Sequence, residues 1–256
     1  MIQFGYKTAM IKNLTREERM AFAKELGLAA IEVNGGDITS ENDGHEWMEL
    51  SAKYGILMKS VGGAVNMCNP VFEDTTIATV TKLAKLTKMM DFDMVFSRTL
   101  WPVNGVPQKD TWNHVIQTVK RLADICEDAG IKFAIEVDHG CFIDSLERAL
   151  ILLHYVNQDN LYFNYDPTNM YIGGADPVLA ISALKGKIVG GHIKDAVYRQ
   201  EYKGETGIGF GEIDYSAIFN ELNQNNIDII MHYEHCKTKD EVIWAHQYIG
   251  AIFSAL

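Results

Sequence analysis

The run DTWNHVIQTVKRLADICEDAGIKFAIEV at residues 110–137 predicts one helix followed by one strand. Apolar side chains recur at helical spacing over 112–126, and Asp110 is a suitable N-cap residue for that helix. Gly130 is placed to end the helix, because glycine readily adopts the left-handed conformation of a C-terminal cap. The run at 131–137 that follows predicts a strand.

The same alternation of strand and helix extends in both directions along the 256 residues. Two capping boxes, Thr15 to Glu18 and Thr238 to Glu241, mark helix starts, since a hydroxyl and a carboxylate three residues apart each accept a backbone N–H. The other predicted strands lie near 2–8, 29–34, 56–62, 93–99, 161–166, 188–194 and 227–234. The other predicted helices lie near 15–27, 44–55, 73–91, 143–156, 175–185, 214–225 and 239–255.

Eight strands, each followed by a helix, predict an α/β fold in which a parallel sheet closes on itself, a (β/α)8 TIM barrel. Such a barrel takes about 250 residues, so we expect a single TIM-barrel domain over 1–256. An open doubly wound sheet is the main alternative. It usually carries a G-x-G-x-x-G phosphate loop after its first strand, and the segment after Tyr6 has no such motif.

The composition is that of an acidic globular protein, with a formal net charge of −11 and 47% hydrophobic residues. That charge repels phosphate backbones, so we expect no nucleic-acid partner. No apolar run reaches the roughly 18 residues that a membrane helix needs, and the first residues lack the pattern of a secretory signal. Four cysteines without paired spacing argue against disulfides and against a structural zinc site. We therefore expect a cytoplasmic protein with no membrane partner.

Strand parity places four metal-binding residue types inside the barrel, because alternate side chains of a barrel strand face the interior and the surrounding helices. The outward positions of the last four strands are mostly bulky and apolar: Ile131, Phe133 and Ile135; Leu161, Phe163 and Tyr165; Val189, Gly191 and Ile193; Ile229, Met231 and Tyr233. The inward positions at the C-terminal strand ends then hold Glu136, Asp166, His192 and Glu234. Barrel enzymes carry their active sites at this end.

Three carboxylates gathered in a barrel mouth repel one another, and one divalent cation resolves that repulsion. Three oxygen donors and one imidazole suit Mn²⁺, Mg²⁺ or Co²⁺, and Zn²⁺ is compatible with them. We expect one divalent metal ion, with Mn²⁺ first among these. The alternative is that each of the four is a polar strand-end residue whose hydrogen bonds neighbouring backbone groups satisfy.

Five segments carry a family resemblance: Ile135-Glu-Val-Asp-His-Gly140, Tyr165-Asp-Pro-Thr-Asn169, Gly191-His-Ile-Lys-Asp195, Gly207-Ile-Gly-Phe-Gly-Glu-Ile-Asp214 and Tyr233-Glu234. They are similar to the xylose isomerase-like TIM barrel superfamily, in particular its sugar phosphate isomerase/epimerase branch. The first half of the chain matches only in layout and in Ala30-Ile-Glu-Val33. By this resemblance, the four inward residues named above are the family's four metal ligands.

The resemblance implies an enzyme of carbohydrate metabolism, an isomerase or epimerase that acts on a ketose through a cis-enediolate. Glu136 and Glu234 would then also be the catalytic acid/base pair, because carboxylates on either face of a metal-held sugar can remove and return its C–H proton. A dehydratase acting on an inosose or keto-polyol would use the same site if a β-hydroxyl left after proton removal. A metal hydrolase and a non-catalytic sugar-binding subunit are further alternatives, and the resemblance leaves a homo-oligomer open.

One position departs from the family pattern. Many relatives have a histidine three residues after the aspartate equivalent to Asp166, and this chain has Asn169 there. Since that histidine often serves the substrate or a second metal in phosphate-processing or multi-zinc relatives, its absence favours a single metal ion. The same argument disfavours the hydrolase.

Four further residues are candidates for substrate binding: Lys194, Arg98, His139 and Trp101. Lys194 faces inward and would hold a hydroxyl or an oxyanion, and Trp101 would stack on a sugar ring. The alternatives are an internal Glu32–Arg98 ion pair, a solvent-exposed His139 and a Trp101 that packs against a loop. His232 is expected to be a hydrogen-bonded core residue, and the glycines at 207–211 a flexible loop.

Overall fold

The computed structural model describes residues 1–199 and 202–256. The barrel strands are β1 (Ile2–Lys7), β2 (Ala30–Asn34), β3 (Ser60–Ala64), β4 (Met94–Arg98), β5 (Lys132–Glu136), β6 (Leu161–Tyr165), β7 (Ile188–Ile193) and, after a hairpin of β8 (Asp195–Arg199) and β9 (Tyr202–Thr206), β10 (Ile229–Tyr233). They pair in parallel and close in the order β1-β10-β7-β6-β5-β4-β3-β2. The predicted (β/α)8 TIM barrel is confirmed.

Helices connect the strands. They are α1 (Arg16–Leu26), α2 (Glu41–Tyr54), α3 (Glu73–Met89), α4 (Gln108–Asp128), α5 (Leu146–Val156), α6 (Pro167–Ile172), α7 (Pro177–Ala183), α8 (Tyr215–Gln224) and α9 (Lys239–Ser254). Thr15 begins α1 with the predicted capping box, and Gly27 ends it in the left-handed conformation at φ 76°. Ser40 forms a second capping box with Asp43, which starts α2 earlier than the predicted 44.

Two predicted helix starts need correction. Pro107 is the N-cap of α4, so Asp110 lies in the first helical turn, where its charge favours the helix dipole, rather than at the cap. At the start of α9, the Thr238 hydroxyl accepts the N–H of Glu241, as predicted. The Glu241 carboxylate, however, accepts the N–H of Lys237 instead of that of Thr238. Only one half of the predicted capping box therefore forms.

The hairpin β8–β9 lies between β7 and α8 and was not predicted. Its strands pair antiparallel directly after the barrel strand ends. The Asp195 carboxylate at its base accepts the N–H groups of Gly209 and Gly211, each at 3.0 Å. The glycine loop at 207–211, expected to be flexible, is thus tied to the base of the hairpin.

A bulge in β7 corrects the predicted orientation of Val189. The pairing with β6 steps from Ile188 to Gly190, so Val189 is the extra residue of the bulge. It packs against a cluster of Met94, Phe96 and Ala134, apart from the larger apolar core, instead of facing outward. Simple alternation along the strand fails at this residue, and it resumes so that Ile193 joins the main core while His192 faces the site.

The main core is one cluster of buried apolar side chains contributed by both strands and helices. It includes Phe133, Phe163, Met231 and Tyr233 from outward strand positions, in agreement with the parity assigned to those strands. Of the helices in the described residues, none combines the length and the apolar character that crossing a membrane requires.

We predict that Gly191→Ala destabilises the barrel. A Cβ at this position would lie 2.7 Å from the carbonyl oxygen of Tyr165, and that backbone atom is fixed in β6. Overpacking of this kind costs about 1–3 kcal/mol. The free energy of unfolding measured in urea checks this, with Gly250→Ala in α9 as the control, since a Cβ at Gly250 meets nothing within 4 Å. Equal stability of the two variants would contradict the prediction.

Candidate metal centre

The four residues predicted as ligands lie together at the C-terminal end of the barrel. Glu136 is the last residue of β5, Asp166 directly follows β6, His192 lies in β7 and Glu234 directly follows β10. Each offers one ligand atom within 4.8 Å of the atoms that the others offer. All four residues are buried. The closed sheet therefore brings residues 98 positions apart in sequence, from Glu136 to Glu234, to one point.

In two of the carboxylates, a hydrogen bond holds one oxygen while the other oxygen faces the cluster. Asp166 caps α6, so its Oδ1 accepts the N–H of Asn169 at 2.9 Å. The Glu234 Oε1 accepts a hydrogen bond from Lys7 Nζ at 2.6 Å. In contrast, Asp166 Oδ2 and Glu234 Oε2 are buried and accept no well-aligned hydrogen bond from the described residues. Their near neighbours are charged groups, Lys194 Nζ at 3.1 Å from Asp166 Oδ2 and His192 Nδ1 at 3.1 Å from Glu234 Oε2. Buried oxygens of this kind need a partner, and a bound cation would supply one.

His192 presents its Nδ1 atom to these carboxylates. Nδ1 lies 3.1 Å from Glu234 Oε2, 3.3 Å from Glu136 Oε1 and 3.9 Å from Asp166 Oδ2. The edge of the Phe96 ring packs against the imidazole with a centroid distance of 5.6 Å. The imidazole therefore has a fixed place, with one nitrogen directed at the carboxylate cluster.

Burial and the neighbouring charges shift the pKa values of the clustered groups in different directions. Burial alone would lower the pKa of His192, but Glu234, Glu32 and Glu136 outweigh it and hold the pKa well above its usual range. Burial raises the pKa of Asp166, an effect that Lys194 opposes. For Glu234 the effect of burial is overcome by His192 and Lys7, which hold its pKa well below the usual range. Three buried carboxylates and one imidazole, with two carboxylate oxygens that no well-aligned hydrogen bond satisfies, fit a divalent metal ion.

A cavity of about 850 Å³ opens above the cluster. Of the four ligand candidates, Glu136 and Glu234 line it, and so do three of the predicted substrate-binding residues, Lys194, Arg98 and His139. Trp101 is not among the described residues that line the cavity, and its side chain is 61% exposed. The Asn169 Oδ1 atom accepts a hydrogen bond from His139 Nδ1 at 3.1 Å, which ties His139 to the rim of the site.

Lys194 is a central residue of the cavity wall. Its Nζ lies 3.1 Å from Asp166 Oδ2, 2.8 Å from Glu205 Oε1 and 3.1 Å from Asn169 Oδ1. The Asn169 amide in turn donates to Glu136 Oε1 at 3.3 Å. Asn169, noted in the sequence only as a departure from the family pattern, thus links Lys194 to one of the four ligand candidates.

Sequence reasoning missed two residues of the site, Lys7 and Glu205, and both line the cavity. Lys7 is the last residue of β1, and the parity argument applied to the other strands would have turned it inward beside the apolar outward residue Tyr6. Glu205 lies on the hairpin strand β9, which carried no recognisable sequence signal. It contacts both Lys194 and the Nδ1 of His235, the residue after Glu234.

The Glu32–Arg98 ion pair, which was the alternative to substrate binding by Arg98, does not form. Arg98 Nη1 instead donates to Asp138 Oδ2 at 2.8 Å, near the rim of the cavity. The strand register explains the difference, because Val33 pairs with Val61 whereas Arg98 pairs with Ala64, three residues further along β3. Arg98 therefore lies too close to the C-terminal rim to reach Glu32.

We predict that a divalent ion binds at this centre and stabilises the fold. At an Mn²⁺ concentration of about 100 times the dissociation constant, the free energy of unfolding should rise by about 2.7 kcal/mol. His192→Ala should remove that stabilisation, and the control His114→Ala, on α4, should keep it. Thermal unfolding and calorimetric titration with Mn²⁺ measure both effects. Equal Mn²⁺ binding by the His192→Ala variant and the wild type would contradict the assignment.

Known proteins resemble this chain over most of its length. The crystal structure of 3-keto-D-glucoside 4-epimerase from E. coli superposes with a TM-score of 0.84 at 14% identity, covering 99% of this chain and 100% of that one. The crystal structure of the IOLI protein with a binding zinc atom gives a TM-score of 0.80 at 19% identity, covering 99% and 98%. These likenesses establish the fold alone.

A curated relative, inosose dehydratase from Geobacillus kaustophilus (strain HTA426), is 23% identical over 145 residues. That match covers 48% of this chain and 47% of the relative, so the similarity spans about half of each protein. A family described as xylose isomerase-like TIM barrel matches residues 20–250. On that match, the chain is a member of the xylose isomerase-like TIM barrel family.

Proposed function

We propose that this protein is a divalent-metal-dependent isomerase or epimerase of a small sugar or polyol, with Glu136 and Glu234 as its acid/base pair. One observation carries the proposal. Of the four clustered ligand candidates, these two glutamates line the cavity, and they project from β5 and β10. Since β6 and β7 separate those strands in the barrel order, the two carboxylates approach a bound molecule from different walls.

This placement suits proton transfer on two faces of one carbon. A bound divalent ion would polarise the carbonyl of the substrate and so lower the pKa of the neighbouring C–H group. Glu234, which Lys7 helps to keep ionised, is suited to accept that proton in one direction of the reaction. Glu136 then returns a proton to the opposite face, which inverts the carbon, and the roles exchange in the reverse direction. Asp166 and His192 act only as ligands in this scheme.

The cavity supports a hydroxyl-rich substrate. Three cations, Lys7, Arg98 and Lys194, are found among its described lining residues, and each pairs with a carboxylate. Because those positive charges are compensated, they suit hydrogen bonding to hydroxyls more than capture of a strongly charged group. The name of the E. coli relative, a keto-sugar epimerase, and the zinc of the IOLI structure agree with sugar chemistry at a metal centre. Mn²⁺ remains the ion we expect first.

A dehydratase is the second candidate, and Lys194 together with the inosose dehydratase similarity favours it. After one glutamate takes the proton from carbon, the C–O bond of a β-hydroxyl would break and a C=C bond would form. Lys194, a buried ammonium at the cavity wall, is placed to protonate the departing hydroxyl, which leaves as water.

The cytoplasmic location, the single domain and the homo-oligomer stay predictions from the sequence.

The two reactions give different products in D₂O. With Mn²⁺ added, neutral ketoses and inososes should exchange one carbon-bound proton for deuterium. An epimer carrying deuterium identifies the epimerase, and a dehydrated enone identifies the lyase. Proton NMR and mass spectrometry measure both products. A broad panel that shows neither exchange nor elimination, with the metal bound, would exclude both candidates.

We predict that Glu136→Gln and Glu234→Gln each lower turnover at saturating metal by about 10²- to 10⁴-fold, the usual contribution of a general acid or base. Loss of one base should slow epimerisation by this factor, while the other base still exchanges the proton on its own face. Each variant should therefore retain deuterium exchange from a different epimer. The control is Glu127→Gln, near the exposed C-terminal end of α4. Full epimerisation by either glutamine variant would contradict the two-base assignment.

A further inference from the structure

Glu32 lies directly beneath the candidate metal centre. It belongs to β2 and is completely buried, with 0% of its surface exposed. Both of its carboxylate oxygens lie 3.1 Å from His192 Nε2. Glu32 therefore contacts the ring nitrogen on the far side of the imidazole from the nitrogen that faces the ligand cluster. It is not among the described residues that line the cavity.

Neighbouring strands hold this carboxylate in place. Lys7 Nζ lies 3.4 Å from Oε1, while Ser60 Oγ and His232 Nδ1 lie 3.4 Å and 3.6 Å from Oε2. These groups come from β1, β3 and β10, and all are longer contacts than the one to His192. The charge of Glu32 is thus fixed at one point in the barrel interior, and its strongest contact is with the imidazole.

The contact decides which nitrogen of His192 can bind a metal ion. A neutral imidazole has one N–H group and one nitrogen lone pair, and an ionised carboxylate can only accept a hydrogen bond. Carboxylates lie close to both ring nitrogens, but only those beside Nδ1 belong to the proposed metal ligands. With a metal ion bound among them, the one N–H of the neutral ring is on Nε2, where it donates to Glu32, and the lone pair is on Nδ1. Nδ1 is the atom 3.1–3.3 Å from the oxygens of Glu234 and Glu136.

We propose that Glu32 is a positioning residue of the metal centre, which fixes the Nε2–H form and the orientation of His192. The inference rests on the proposed metal site but not on the reaction catalysed there. Partners that orient metal-binding histidines typically contribute about 10- to 100-fold to metal affinity. Glu32 touches neither the metal nor the substrate in this assignment, and it acts through His192, its shortest contact.

The first test uses the wild-type protein loaded with Zn²⁺, which is diamagnetic and suits NMR. Long-range ¹H–¹⁵N spectra distinguish a protonated ring nitrogen from one that binds a metal. We expect Nε2 of His192 to carry the proton and Nδ1 to have the shift of a metal-bound nitrogen. A protonated Nδ1 with Nε2 bound to the metal would overturn the proposal without any variant being made.

The second test compares metal affinities. Glu32→Gln keeps the shape of the side chain but offers an amide that can donate to Nε2, so Mn²⁺ affinity should fall about 10- to 100-fold. Ser60→Ala is the matched control, because it removes another contact of Glu32 and leaves His192 untouched. Its affinity should stay within about twofold of the wild type. Circular dichroism of the metal-free variants establishes that they are folded.

The outcomes separate the inference from the proposed function. A folded Glu32→Gln variant that binds Mn²⁺ as tightly as the wild type and keeps the wild-type ring spectrum would overturn the role of Glu32 alone. A wild-type protein that binds no divalent ion would instead remove the metal centre itself. If Glu32→Gln does not fold, the wild-type ring spectrum decides the question.

Discussion

Mutual repulsion among three buried carboxylates is the constraint on which the rest of the site depends. Glu136, Asp166 and Glu234 converge within a few ångströms, where water is excluded and like charges interact strongly. Of the neighbouring cations, Lys194 is buried and Lys7 is partly buried. Both are paired with these carboxylates, as a lysine away from water almost always is. The lysines neutralise part of the negative charge of the three carboxylates, and a bound divalent ion would neutralise the rest.

The barrel supplies the convergence, because all its strands run in parallel and end at one face. In two of the carboxylates at the strand ends, one oxygen accepts a hydrogen bond from a neighbouring group and the other oxygen faces the cluster. Asp166 begins α6 with one oxygen and leaves the other for the cluster. Glu234 gives one oxygen to Lys7 in the same manner. Because the two oxygens belong to one rigid carboxylate group, a hydrogen bond to one oxygen also fixes the direction of the other. The cation site is therefore preorganised without a bound cation.

The interior of the barrel changes character with depth. Val189, the residue of the bulge, packs against an apolar cluster of Met94, Phe96 and Ala134. A polar network around Glu32 lies under the metal centre. His192 contacts both of them, with the Phe96 ring on one side and Glu32 on another. Its orientation is therefore set by packing as well as by hydrogen bonds. The hairpin after β7 adds a third element from outside the barrel by bringing Glu205 to Lys194.

Hydrophobic period and strand parity are local properties, so they were enough to predict the barrel and the strand ends that carry the four ligand candidates. Parity applied to β1 would also have found Lys7. It failed at Val189, where a bulge adds one residue to the strand. Three pairings emerge only in the folded barrel: Glu32 with His192, Arg98 with Asp138, and Glu205 with Lys194. Those choices depend on the register between strands and on the path of an inserted hairpin, which are non-local and leave no periodic trace in the sequence.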